Sequence, residues 1–135
     1  TRPGRSATLF TVYTIINSLK QHIQTAIPRR YKMKTISSQA YRDDEIIAEK
    51  LENRDFTVFV TPAFEIDGEE YRVVTDGHHS FEAAKLAGVE PGFIEQTIRE
   101  NDNIAMLENG QIEMFLEHAY VDTDWYDIET GYWAF

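Results

Sequence analysis

The sequence predicts an α+β fold: a small mixed sheet flanked by helices, with an added N-terminal amphipathic helix. Three observations carry this. Residues 56–66 alternate apolar and polar side chains, residues 81–87 pack apolar side chains at helical spacing, and glycines follow each stretch where the chain must turn. A length of 135 residues, 42% hydrophobic and 27% charged, suits one soluble-type core. The absence of cysteine excludes disulfides, thiolate metal sites and cysteine nucleophiles.

Taken in order, Leu9, Val12, Ile16, Leu19, Ile23 and Ala26 follow a three-four spacing and predict a helix that Pro28 ends. Residues 1–34 hold seven basic side chains and no acid, so they read as a basic arm, and residues 35–135 as the domain proper. Docking, self-association through residues 9–27, a targeting presequence and a segment foreign to the domain are the competing readings of that arm. Ser37–Asn53 contains a second helix, starting near Asp43, with Asp43, Asp44 and Glu45 at its positive end and Ile46, Ile47 and Leu51 inward.

Phe56, Val58, Val60, Pro62, Phe64 and Ile66 predict one strand with one buried face, and Pro62 marks an edge or a bulge. Asp67-Gly68 predicts a hairpin turn, with Tyr71–Thr75 returning. A helix follows from His79 or Ser80, packed by Phe81, Ala83, Ala84, Leu86 and Ala87 and closed by Gly88. Phe93–Ile98 predicts a further strand, and Asn101–Ala119 two short helices broken at Gly110. The aromatic, acidic tail from Val121 to Phe135 is expected to pack on the body.

The net charge of −10 is uneven, because residues 35–135 alone carry −17. So acidic a body repels phosphate backbones at long range, and any nucleic-acid contact must be local. No apolar run reaches the length of a membrane span; no membrane partner is expected, and the expected location is the cytoplasm.

The chemistry concentrates in Thr75-Asp76-Gly77-His78-His79-Ser80, between a strand and a helix. Glycine permits a sharp bend and close approach of a ligand, and the open N–H groups of a helix start favour an anion. His78 and His79 can donate to phosphate or exchange protons, Thr75 and Ser80 add hydroxyls, and Asp76 can orient a histidine or bind a divalent cation. The acids Asp43, Asp44, Glu45 and Glu49, and the pair Asp122 and Asp124, read as solvated surface.

The stretch from Tyr71 to Gly88, with Thr-Asp-Gly-His-His-Ser followed by Phe81-Glu82-Ala83-Ala84-Lys85-Leu86-Ala87-Gly88, resembles the signature of the ParB/sulfiredoxin superfamily. Its Asp-Gly-His-His form is similar to ParB-like nucleases and to free-serine kinases of the same fold. The resemblance implies phosphate or nucleotide binding by Thr75, Gly77, His78, His79 and Ser80, with Asp76, His78 and His79 as catalytic candidates. It implies a nucleoside phosphate and a divalent metal ion, Mg or Mn, as cofactors, and a nucleotide or nucleic-acid phosphate as partner. Most relatives carry arginine where this chain has Ser80, which removes a bidentate donor. The sulfiredoxin cysteine aligns with His78, excluding sulfinic acid reduction, and the ParB arginine box and helix-turn-helix are absent. A ParB-like nuclease is the first expectation, a small-molecule kinase the second, and a non-catalytic interaction module the third.

Overall fold

A computed structural model describes residues 33–135. The basic arm, with its predicted helix and self-association, lies outside the described residues except for Met33 and Lys34.

Among the described residues the fold is mixed α+β, with four helices and a six-stranded mixed sheet. The order is β1 (Lys34–Ser37), α1 (Asp44–Glu52), β2 (Thr57–Val60), β3 (Phe64–Ile66), β4 (Glu69–Asp76), α2 (His78–Ala87), β5 (Gly92–Glu95), α3 (Ile104–Glu108), α4 (Ile112–Ala119) and β6 (Tyr126–Asp127). Across the sheet the strands run β5-β2-β4-β1-β6, with β3 also paired to β4. β1 and β4 are parallel, as are β2 and β5; the remaining pairs are antiparallel.

Asp67 and Gly68 both take positive φ, +52° and +79°, the backbone of a type I′ hairpin turn. That turn sets Ile66 opposite Glu69 and Phe64 opposite Tyr71. β4 is the spine, contacting β1 along one edge and β3 then β2 along the other.

The single buried face predicted for residues 56–66 divides in two. Val58 and Val60 pack with Val74, Phe81 and Ile128, whereas Phe64 packs with Ile36, Tyr71, Val73 and Phe115. Residues 71 and 73 share one face of β4 and residue 74 takes the other, so the two clusters lie on opposite faces of the sheet. Thr61, Pro62 and Ala63 leave the strand, and the chain resumes with its faces exchanged.

Thr61 makes the exchange affordable. Its hydroxyl accepts the Val73 N–H at 3.0 Å and donates to Pro62 O at 2.9 Å, while its own N–H reaches Val73 O. Thr61→Val keeps the volume but orphans the buried Val73 N–H. It should lower the unfolding free energy by about 2 kcal/mol in urea titrations, with the m-value unchanged.

α2 covers one face of the sheet through Phe81, Ala83 and Ala84, and α1 packs against α2 with Ile47 buried. Ile46, expected inward, is 36% exposed. On the other face α3 and α4 bring Ile104 and Phe115 to full burial. The break at Gly110 (φ +75°) separates these two helices, as the sequence predicts. The tail docks: Asp122 accepts the Ala40 and Tyr41 N–H groups, Ile128 is buried, and β6 pairs with β1.

Candidate functional site

β4 delivers Asp76 to the surface and the chain turns at Gly77, which is left-handed at φ +95°. A Cβ on Gly77 would stand 2.6 Å from Thr57 O and 2.9 Å from Val58 Cα, so glycine is required for space as well as for conformation. Asp76 Oδ1 accepts the Gly77 N–H at 2.8 Å. α2 then starts at His78, one residue before the sequence predicts, with no side-chain cap and no acid in its first turn. Among the described residues, the N–H groups of His78, His79 and Ser80 therefore have neither an intrahelical acceptor nor a capping oxygen, and the helix dipole adds partial positive charge there.

The two histidines part company. The His78 side chain turns inward, 5% exposed, with Nε2 2.6 Å from Ser37 Oγ on β1. Burial, reinforced by the nearby Arg42 cation, lowers its pKa to about 4, so it is neutral at physiological pH. His79 stays half-buried and accepts the Asp43 N–H on Nε2 at 3.1 Å, with Tyr41 edge-on to its ring. When neutral, that bond places its proton on Nδ1. His79 thus ties the start of α1 to the start of α2.

This divergence separates two hollows. A cleft of about 320 Å³ is lined by Lys50, Asp55, Thr57, Phe59, Asp76, Gly77, His79 and Ser80. A smaller cavity of about 120 Å³ has His78 and Thr75 in its wall. Of the six residues expected to form one phosphate site, Asp76, Gly77, His79 and Ser80 share the cleft. His78 and Thr75 do not; the Thr75 hydroxyl donates to Gln96 Oε1 at 2.7 Å and also approaches Phe59 O. The expectation that both imidazoles meet one anion is corrected accordingly. Position 78 follows the strand direction into the domain, and position 79, a helical step onward, faces α1.

In the cleft, Lys50 Nζ lies 3.1 Å from Asp55 Oδ2. That cation, and then the Thr57 N–H, hold the Asp55 carboxyl below its ordinary pKa. Asp55 and Asp76 supply carboxylates, but among the described residues no three His, Asp or Glu side chains converge as a metal site.

No family model, curated protein or solved structure matches the chain.

Sequence reasoning missed Lys50, Asp55 and Thr57. For the last two, Phe59 pairs with Asp76 and carries the start of β2 to the glycine turn, but the register shifts between Phe59 and Val60, so counting back from Asp67-Gly68 could not have established it. Lys50 reaches the cleft through the packing of α1 on α2, which no local pattern encodes.

Proposed function

We propose that the protein binds a phosphate ester, a nucleotide or nucleic-acid phosphate, at the open first turn of α2, as a domain of the ParB-like nuclease type. One observation carries the reading: an uncapped ten-residue helix begins at a left-handed glycine inside a cleft that also holds Lys50. The chemistry it suits is phosphodiester hydrolysis. A divalent ion would supply Lewis acidity at the phosphate. Asp76 would hold that ion or the attacking water, His79 would serve proton transfer, and the helix N–H groups with Lys50 would neutralise the developing charge. His78, buried, neutral and outside the cleft, has no part in this. Lys50 would stand in for the arginine missing at position 80, as a point charge instead of a fork, with the phosphate sharing or displacing its Asp55 partner.

Phosphoryl transfer to a small hydroxyl compound is the second reading, and its acceptor would have to enter the same cleft, beside the bound phosphate.

Pyrophosphate or ATP, with Mg²⁺ or Mn²⁺, should raise the melting temperature saturably. A ligand at a hundred times its Kd would stabilise the fold by about 2.7 kcal/mol. Lys50→Ala should weaken that binding about ten-fold or more. Plasmid nicking separates hydrolysis from nucleotide-dependent transfer. Absence of any phosphate-induced shift, or a shift indifferent to Lys50→Ala, would remove the assignment.

A further inference from the structure

The cavity behind His78 lies apart from the phosphate cleft, and its wall is unlike the cleft's. Its polar side chains include Ser37, Ser38, Thr75, His78, Asn101 and Asn103, and among the described residues no Asp, Glu, Lys or Arg lines it. Phe115 and Trp125 close its apolar side. The elements that build it come from the whole domain: the end of β1, the last turn of β4, the start of α2, the loop before α3, α4 and the tail.

Most of the hydroxyls there are committed to the protein. Ser37 Oγ meets His78 and accepts the Gln39 N–H; Ser38 Oγ accepts the Val121 N–H and points at Ala119 O. Among the described residues the two asparagines are engaged only at one point, where Asn101 Oδ1 accepts the Asn103 backbone N–H. Asn103 does not cap the helix that follows it, and His78 spends only Nε2 on Ser37. Two carboxamides and a ring nitrogen, on residues that line a space of about 120 Å³, therefore keep donor and acceptor capacity. At a liquid share of about 30 Å³ per water, that is room for about four waters, or for one compact organic molecule.

We propose that this cavity is a binding site for a small, uncharged hydroxyl compound of about glycerol's size. Charge is disfavoured because the walls offer no counter-ion, and a charged guest would lose its hydration without compensation. Hydroxyl groups suit it because each both donates and accepts, matching carboxamides that present both. The proposal stands whether or not the phosphate reading holds.

The test is an NMR titration of the full chain with glycerol, erythritol and a simple methyl glycoside, reading the side-chain amide signals of Asn101 and Asn103 and the His78 ring. Saturable shifts confined to these groups, with at least one of the three, are expected. Asn103→Leu, which fills part of the space, and Asn101→Ala should each weaken binding about ten-fold while amide dispersion reports an intact fold. Shifts that grow linearly without saturation, that persist in both variants, or that inorganic phosphate reproduces at the same groups would overturn the proposal.

Discussion

Lowering the pH from 6.5 to 4 should cost the domain about 3 kcal/mol through His78 alone. The unfolded chain takes up a proton at an ordinary imidazole pKa near 6.5, whereas the folded chain resists until about 4. Between those values the unfolded state binds more protons, so stability falls as pH falls; above 6.5 both states are neutral and the group contributes nothing to the pH dependence. The cause is placement. The ring has little contact with water, its Nε2 is held by Ser37, and Arg42 adds a like charge when the ring protonates; Asp76 and Asp122 oppose that only in part. Urea unfolding of wild type and His78→Gln across pH 4 to 7 isolates the contribution, because the carboxylates titrate alike in both. The wild-type curve should drop more steeply by the stated amount. Parallel curves would mean that the ring is solvated or paired with an acid in solution. The same experiment bears on chemistry, since a histidine neutral down to about pH 4 does not supply an imidazolium acid to a reaction run near neutrality.

Why this role escaped the sequence is instructive. Two adjacent histidines after a glycine look equivalent, and nothing in a local pattern says which one the helix turns inward. Their difference comes from β1, whose Ser37 reaches the first ring from 41 residues away. β1 itself was not legible: four residues, Lys-Thr-Ile-Ser, are too few to establish a period, and their pairing with β4 is long-range. Elements whose causes are local were legible. The helix start near Asp43, the Asp67-Gly68 turn, the Gly88 C-cap and the break at Gly110 each follow from the residues at one place, although that Asp43 caps the helix rather than sitting in its first turn was not read. The strand at 56–66 falls between. Its alternation was real, but a Thr-Pro pair in the middle exchanged the faces, a tertiary choice made by the Val73 N–H finding a hydroxyl. The candidate site follows the same division, with its glycine, Asp76, His79 and Ser80 set by the motif and its Lys50 by helix packing.

Gly77→Ala should destabilise the domain by about 3 kcal/mol or more, and Gly88→Ala by only about 1 kcal/mol. Both glycines are left-handed, φ +95° and +70°, so both substitutions carry the conformational cost of an L side chain there. Around Gly88 an added Cβ meets nothing within 4 Å. At Gly77 it meets the backbone of β2 at 2.6 and 2.9 Å, and backbone in a paired strand cannot rotate away as a side chain could. Relief requires the start of α2 to lift off β2, against the packing of Phe81 on Val58 and Val60. The difference between the two variants, measured by thermal or urea unfolding, therefore reports the close approach alone. Equal losses would show that the turn yields freely. Under the proposed phosphate reading the approach also governs binding, because it fixes where the first N–H groups of the helix stand relative to Lys50 and Asp76. A Gly77→Ala protein that still folds should bind pyrophosphate far more weakly than Gly88→Ala, even at temperatures where both are fully native. Binding energy at such a site depends on donors held in place before the anion arrives, and a helix start displaced by even an ångström no longer aims them at the same point.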